Sequence, residues 1–175
     1  MDTPEDKDTR RADALPIYSI GHSDHSTQAF IDLLHRHGVT VLVDVRSHPY
    51  SKWVPQFNRE KLSLALEAAD IRYAFMGDSL GGRPADRSLY APGEEHPDYQ
   101  LIRSSPAFRE GIRALLSLAA AERVAMMCSE GDYRKCHRAM LITPALLEAG
   151  AQVLHIEPEG TTVEAEPEPR QLSLL

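Results

Sequence analysis

Residues 123–142, RVAMMCSEGDYRKCHRAMLI, decide the fold of this 175-residue chain. The apolar run 123–127 has the length of one buried strand, and the apolar positions after residue 138 predict a helix that ends at Gly150. The polar loop between them, 128–138, contains both cysteines of the chain. Because open α/β sheets carry their sites in loops that join a parallel strand to a helix, the stretch indicates an α/β fold with a site at this loop.

Strands and helices alternate on both sides of this stretch. Apolar and β-branched runs predict five strands, at residues 15–20, 39–45, 71–76, 123–127 and 151–156. Apolar spacing and capping residues predict four helices, at 26–37, 58–69, 105–121 and 136–149, the last of them kinked or restarted at Pro144. This order implies a mostly parallel five-stranded sheet with helices on both faces and the site at the C-terminal strand edge. The long stretch 77–104 is expected to be a lid or rim, or to contain short helices.

The charge of the chain is concentrated at its two ends. The formal net charge is -7, yet residues 14–156 contain 16 acidic and 15 basic side chains. We therefore predict a single α/β domain at 14–157, with a disordered leader at 1–13 and a flexible acidic tail at 158–175. Two cysteines are too few for a disulfide scaffold, and no run resembles a signal peptide or a membrane span. A cytoplasmic protein with reduced thiols and no membrane partner is expected.

Polar strand-to-helix loops converge on one edge of such a sheet. These loops carry His22, Asp44 with Arg46, the Gly81-Gly82-Arg83 segment and the Cys128–Arg138 loop. Their convergence predicts a single site.

The chain also carries five ordered motifs. They are Ile20-Gly21-His22-Ser23, Val43-Asp44-Val45-Arg46-Ser47, Pro55-Gln56-Phe57-Asn58, Leu80-Gly81-Gly82-Arg83, and a Cys-x-Glu-x5-Cys-His-Arg pattern from Cys128 to Arg138. Together they resemble the bacterial family catalogued as domain of unknown function 488, over about residues 17–156. The resemblance implies a fold class and candidate site residues in these motifs, and it implies no particular reaction.

The candidate catalytic residues are Cys128, Glu130, His22 and Asp44. Cys128 follows a strand and has basic residues nearby, which favours a nucleophilic thiolate with a lowered pKa; the alternative is a buried cysteine that packs as a small apolar residue. Glu130 and Asp44 are candidate general bases, or simple ion-pair partners of arginines. His22 is a candidate acid or base near neutral pH.

The candidate ligand-binding residues predict an anion site, with phosphate as the expected group. They are Arg46, Gln56, Asn58, Arg83, Cys136, His137 and Arg138. Tyr50, Trp53 and Phe57 are candidates for stacking on a nucleobase, or for packing over the sheet edge.

No metal and no cofactor is expected. Cys128, Cys136, His137, His22 and His25 are enough ligands for zinc, but their spacing matches no paired-ligand pattern. In addition, the adjacent Cys136 and His137 cannot easily both face one ion from a regular helix.

Two other patterns suggest cysteine chemistry. The Cys128-x5-Arg134 spacing fits the phosphate-binding loop of cysteine phosphatases, which needs inward-facing backbone N–H groups. The segment Asp44-Val45-Arg46 is similar to one in the rhodanese sulfurtransferases.

The last five residues resemble the peptide by which bacterial replication and repair proteins dock on the DNA sliding clamp. Gln171, Leu172, Leu174 and Leu175 fit its pattern of a glutamine, a leucine and a terminal apolar pair. The alternative is that these leucines pack on the chain's own core or on a second copy.

These observations predict an enzyme that processes a nucleotide or nucleic-acid phosphate substrate in DNA maintenance. One alternative is a non-catalytic module that binds a nucleotide or DNA end and is recruited by the sliding clamp. The other is a cysteine-dependent sulfurtransferase or phosphatase-like enzyme.

Overall fold

A six-stranded, mostly parallel sheet forms the centre of the fold. The computed structural model describes residues 14–167. Its strands are β1 (Ile17–Gly21), β2 (Val41–Asp44), β3 (Arg72–Phe75), β4 (Val124–Cys128), β5 (Val153–Ile156) and β6 (Thr162–Glu164). Their order in the sheet is β3-β2-β4-β1-β5-β6. The first five are mutually parallel, and β6 runs antiparallel to β5. The predicted α/β fold with a mostly parallel sheet is confirmed.

Helices cover both faces of this sheet. They are α1 (Thr27–Arg36), α2 (Arg59–Ala68), α3 (Gly77–Leu80), α4 (Tyr99–Ser104), α5 (Pro106–Ala121) and α6 (Thr143–Glu148). Leu34 of α1 and Leu66 of α2 belong to one apolar cluster, whereas Leu115 of α5 and Leu146 of α6 belong to the other. Helices α1, α2 and α5 begin within one residue of the predicted starts. At the first of them, Ser26 Oγ accepts the Ala29 N–H and caps the helix.

The last helix contains the expected irregularity. Residues Arg138–Ile142 form a π-helical turn, and α6 follows at Thr143 with Pro144 in its first turn. Proline suits the first turn, where its missing N–H is not required. The predicted restart at Pro144 is therefore confirmed within one residue. Such π-helical turns occur frequently at functional sites.

The sheet continues beyond the domain boundary predicted at residue 157. A turn closed by a hydrogen bond from the Gly160 N–H to the Glu157 carbonyl leads into β6, which pairs with β5 through Leu154 and Glu164. The sequence did not indicate this strand because it is only three residues long and exposed. The predicted leader at 1–13, and the clamp-like residues Gln171, Leu172, Leu174 and Leu175, lie outside the described residues.

Strand order creates a crevice at the carboxyl end of the sheet. Strand β4 lies between β2 and β1, and Gly21 is level with Cys128 while Asp44 is level with Met127. Strands β2 and β4 are neighbours, but the chain leaves them in opposite directions across the sheet. From β2 it continues to β3, towards one edge of the sheet, and from β4 it continues to β5, towards the other edge. Ligand sites of open α/β sheets form where neighbouring strands diverge in this way. None of the helices between residues 14 and 167 has the length and apolar content to span a membrane.

Candidate functional site

A cavity of about 970 Å³ lies at the carboxyl ends of β1, β2 and β4. Its walls come from loops far apart in the chain, and they include His22, Arg46 to His48, Tyr50, Gly82, Arg83, His96 to Tyr99, Cys128 to Glu130, and Lys135 to His137. The stretch 77–104 therefore contributes a wall of the cavity, as its predicted role as a rim requires. Most loops that the sequence predicted to converge do meet at this cavity.

Two thiols and an imidazole lie together on the floor of the cavity. His137 Nδ1 is 3.6 Å from Cys128 Sγ and 3.7 Å from Cys136 Sγ. The other ring nitrogen, Nε2, lies 3.0 Å from the Val45 carbonyl oxygen, to which it must donate its hydrogen. The remaining ring nitrogen, Nδ1, faces both sulfurs. We call these three side chains the thiol–imidazole cluster.

The backbone changes conformation between the adjacent Cys136 and His137. The preceding residues, Tyr133–Lys135, form one 3-10 turn, and the Asp132 side chain caps it by accepting the Arg134 N–H. Cys136 is extended, with φ -124° and ψ 148°, whereas His137 is helical, with φ -60° and ψ -16°. Since the two residues do not share a regular helix, both side chains reach the same point. The expectation that they cannot easily both face one ion assumes a regular helix, which the chain does not form at these two residues.

The two cysteines differ in acidity. The adjacent Cys128 thiol lowers the pKa of Cys136, and His137 and the Arg138 guanidinium act in the same direction. The adjacent Cys136, together with burial, raises the pKa of Cys128. The lowered pKa therefore belongs to Cys136. The prediction of a lowered pKa at Cys128 is wrong, because Cys136 and burial outweigh the effect of Arg138 on Cys128.

Arg138 contacts the thiol–imidazole cluster from the side away from the cavity. Its side chain is fully buried and lies outside the cavity. The guanidinium donates to Cys136 Sγ at 3.3 Å, to Ser19 Oγ at 3.0 Å and to the Glu130 carbonyl at 2.5 Å. Among residues 14–167, no carboxylate lies within ion-pair distance of it. Arg138 thus connects β1 to the loop after β4, and it is not placed to bind an anion in the cavity as predicted.

Asp44 and Arg46 form a buried ion pair beside the cavity. Arg46 donates to both carboxylate oxygens of Asp44, at 2.9 and 2.7 Å, and to the Phe57 carbonyl at 2.8 Å. The Tyr73 hydroxyl donates to the same carboxylate at 2.6 Å. Because the carboxylate is fully buried and has three side-chain hydrogen bonds, it is not free to act as a general base. Of the alternatives for Asp44, the ion pair is the one observed.

His22 packs beside this ion pair, and its imidazole is neutral. Its Nδ1 donates to the Ser23 carbonyl at 2.8 Å, so Nε2 accepts from Arg46 at 3.3 Å. The ring stacks on Phe57 with centroids 4.4 Å apart. Burial lowers the pKa of His22 to about 4, and the nearby Arg46 cation contributes. Since both ring nitrogens are occupied, the arrangement favours a positioning role over proton transfer near neutral pH.

The rim of the cavity carries exposed cations and aromatic rings, beside the exposed carboxylates of Asp98 and Glu130. Arg83 and Lys135 line the cavity and are exposed. Tyr50 is 75% exposed on the loop after β2, and the neighbouring Trp53 is 82% exposed with the Lys52 ammonium 4.9 Å from its ring centroid. The loop thus presents flat apolar surfaces and a cation to solvent.

The comparison with family models identifies the chain's relatives. The family model described as Domain of unknown function DUF488 matches residues 26–143. The chain belongs to this family. Comparisons with curated proteins and with solved structures found no match. The matched range begins after β1, so it excludes His22 and includes the whole thiol–imidazole cluster.

In this DUF488 chain, the residues predicted for the site divide into two groups. Those that line the cavity are His22, Arg46, Arg83, Cys128, Glu130, Cys136 and His137. Those that do not are Asp44, Gln56, Asn58 and Arg138. The amide of Gln56 donates to the His25 carbonyl, and Asn58 Oδ1 accepts the Ser51 N–H. These two side chains shape the loops around the cavity.

The loop after β4 does not form the anion cradle of a cysteine phosphatase. The N–H groups of Asp132 and Arg134 donate to side chains within the loop. Those of Lys135 and Cys136 donate to carbonyls of the same turn. The Arg134 side chain pairs with Asp132 and does not line the cavity. These donors are thus unavailable to a phosphate, which weighs against the phosphatase-like alternative.

A group of buried polar side chains lies next to the thiol–imidazole cluster, and the sequence patterns did not indicate it. Ser19 Oγ accepts from Arg138 and lies 2.8 Å from His155 Nδ1, and Tyr133 stacks on the His155 ring at 4.1 Å. Burial lowers the pKa of His155 to about 4. The available signal was a serine and a histidine inside strands that are otherwise apolar, because a buried polar side chain needs a partner.

Gly82 has a packing role that the sequence did not reveal. A Cβ atom at this position would lie 2.8 Å from the His137 ring. Only glycine allows the backbone of the 77–104 segment to contact this face of the imidazole. The Gly81-Gly82-Arg83 motif therefore places Arg83 on the rim and confines His137 at the same time.

Proposed function

We propose that this chain is an enzyme that acts on a nucleotide or a nucleic-acid phosphate compound in the cavity. The observation that carries the proposal is the position of the thiol–imidazole cluster, which lies on the floor of a cavity whose rim presents two exposed cations and an exposed aromatic ring. A volume of about 970 Å³ is large enough for a nucleotide.

The rim supports recognition of phosphate. Arg83 and Lys135 approach the cavity from two different loops, and both are exposed to solvent. The formal charge of the whole chain is -7, so attraction of an anion depends on this local basic surface. Arg46 contributes less than the sequence predicts, since Asp44 and the Phe57 carbonyl occupy its Nε and Nη2 donors.

The loop after β2 supports recognition of a base. Tyr50 and Trp53 are the most exposed large apolar side chains of residues 14–167, and they stand three residues apart on one loop. Aromatic rings exposed in this way stack on unpaired nucleobases, at about 1–3 kcal/mol per base. An unpaired or terminal nucleotide thus suits the loop better than a continuous duplex.

The cluster distinguishes an enzyme from a pure binding module. Recognition of a phosphate and a base requires only the rim, whereas two buried thiols beside an oriented imidazole are a reactive combination. Of the two predicted carboxylates, Glu130 is the one that is exposed on the cavity wall and available for proton transfer, with its Oε1 accepting the Asp132 N–H. Asp44 and His22 are assigned positioning roles, because the buried ion pair and its stacked neighbour fix the shape of one wall.

Ligand affinity provides the first test of this proposal. Replacing Tyr50 with alanine should weaken binding of a 5′-phosphorylated single-stranded DNA hexamer by about 5- to 100-fold, because a stacking surface is lost. Replacing Lys135 with alanine should weaken it and reduce its salt dependence. Isothermal titration calorimetry measures both effects. The matched controls are Leu64→Ala and Lys61→Ala, which change exposed residues of α2 away from the cavity.

Product analysis separates the enzyme from the binding module. Mass spectrometry of the incubated hexamer, and of mononucleotides, should reveal turnover that Cys128→Ser reduces by about 100-fold or more while affinity is retained. Tight binding with no product from any of these compounds would instead support the non-catalytic module. Equal effects of the control and rim variants would exclude the cavity as the binding site.

Recruitment by a sliding clamp is a separate proposal. It is supported by the sequence of Gln171, Leu172, Leu174 and Leu175, whose apolar side chains suit a groove on a partner. Deleting residues 171–175 should abolish co-purification with a bacterial sliding clamp and leave the melting temperature unchanged. A lowered melting temperature would show instead that these leucines pack on the chain itself.

A further inference from the structure

We propose that Cys128, Cys136 and His137 bind a thiophilic divalent metal ion, with zinc as the preferred ion. The ion would have three protein ligands and a fourth position open to the cavity. This inference stands on the geometry of the cluster and does not rest on the proposed function.

The distances within the cluster are those of a tetrahedral site. Zinc binds thiolate sulfur at about 2.3 Å and imidazole nitrogen at about 2.0 Å, so tetrahedral geometry separates the sulfur and nitrogen ligands by about 3.5 Å. The observed separations from His137 Nδ1 are 3.6 Å to Cys128 Sγ and 3.7 Å to Cys136 Sγ. All three candidate ligand atoms lie within 4.8 Å of one another. The two sulfur–nitrogen distances therefore suit a tetrahedral ion as they stand, and the two sulfurs are close enough to share it.

One imidazole nitrogen faces two sulfurs in the cluster. Nε2 donates to the Val45 carbonyl, so Nδ1 is the ring nitrogen that faces the cysteines. Cys128 Sγ and Cys136 Sγ approach it at 3.6 and 3.7 Å, and one nitrogen forms a good hydrogen bond with only one of them. A metal ion at the centre of the three atoms engages both sulfurs and the nitrogen together.

The surroundings of His137 match those of a metal-ligating histidine. Such a residue almost always donates its second ring N–H to a carboxylate, a carbonyl or water, which fixes the tautomer and the ring orientation. Here the acceptor is the Val45 carbonyl at 3.0 Å, and Gly82 packs closely on the same ring. The imidazole is thus oriented before any ion binds.

The charges and ligand types favour zinc over harder ions. Two thiolates and one imidazole are ligands that zinc prefers, whereas magnesium and calcium prefer oxygen. The two thiolates neutralise a divalent cation, and the buried Arg138 guanidinium, 3.3 Å from Cys136 Sγ, leaves a net positive charge at the centre. Such a centre attracts an anionic or readily deprotonated fourth ligand.

The open position indicates a catalytic site. Structural zinc sites have four protein ligands, whereas catalytic sites have three and keep one position for water or substrate. Among residues 14–167, the ligand group at this point contains three side chains, and each of them lines the cavity. An ion held there would activate a water molecule, or polarise a substrate oxygen, at the floor of the cavity.

Metal titration tests the inference. The full-length chain, reduced and stripped with a chelator, should bind one Zn²⁺ per chain in competition with a chromophoric chelator. With Co²⁺ it should show thiolate-to-metal charge transfer and the intense d–d bands of a tetrahedral ion. Cys128→Ser, Cys136→Ser and His137→Gln should each weaken binding by more than about 100-fold. The matched control is His48→Gln, which changes another histidine of the cavity wall.

The outcomes are distinguishable from loss of fold and from failure of the proposed function. Circular dichroism identifies the variants that remain folded, and only these are compared. The Co²⁺ spectrum requires no variant, so the absence of charge transfer in the folded wild type would overturn the inference. Equal affinity of wild type and folded His137→Gln would overturn it as well. DNA affinity is measured separately and can persist in either case.

Discussion

Replacing Asp44 with alanine should lower the free energy of unfolding by about 3–5 kcal/mol. The variant leaves the Arg46 guanidinium buried without its counter-ion and removes the acceptor of the Tyr73 hydroxyl. A buried charge without a partner costs far more than an exposed ion pair contributes. Urea denaturation at constant m-value measures the change. Asp32→Ala, on the exposed side of α1, should change the free energy by less than about 0.5 kcal/mol.

A double-mutant cycle tests the same arrangement in more detail. Tyr73→Phe removes one hydrogen bond to Asp44 and should cost about 1–2 kcal/mol, with less effect once Asp44 is already alanine. Additive effects of the two substitutions would contradict the shared network. A loss below about 1 kcal/mol for Asp44→Ala alone would show that the ion pair is not buried in solution.

Replacing Arg138 with methionine should lower the free energy of unfolding by about 3 kcal/mol, because three acceptors lose their buried donor. Methionine fills much of the volume but cannot donate to Cys136 Sγ, Ser19 Oγ or the Glu130 carbonyl. Lysine should fail to restore stability, because a single ammonium cannot reproduce the planar set of donors. Thermal and urea unfolding measure both variants.

The control for Arg138 is a solvent-exposed arginine of the same chain. Arg109→Met changes an exposed residue of α5 and should leave stability nearly unchanged. A fully stable Arg138→Met variant would mean that the guanidinium is dispensable to the loop after β4. The cavity floor would then need another explanation for its shape.

The fold was predictable from local patterns. The β4 run Val124–Cys128 has apolar character on both faces, which is the signature of a strand covered by helices on two sides. Ser26 and Ser105 marked the starts of α1 and α5, because serine side chains accept the first free N–H groups of a helix. In contrast, β6 has three exposed residues and no pattern, and it forms because the edge of β5 accepts a partner.

The members of the site were easier to predict than their roles. The sequence placed Cys128, Cys136 and His137 near one another, since strand ends of a parallel sheet converge. Their convergence on one point depends on a 3-10 turn and an abrupt change of backbone angles at Cys136, which no periodicity encodes. Burial could not be read from residue type either, so Arg138 was expected in the cavity and lies beneath it.

The central claim is that a phosphate compound binds at the carboxyl ends of β1, β2 and β4, above the thiol–imidazole cluster. Histidine side-chain resonances report on this directly, because His48, His96 and His137 line the cavity whereas His35 and His37 do not. In a ¹H–¹³C correlation spectrum titrated with the 5′-phosphorylated hexamer, the account predicts that the first three resonances move together and saturate, while the other two stay in place. Saturating shifts at His35 and His37, with no change at His137, would contradict it.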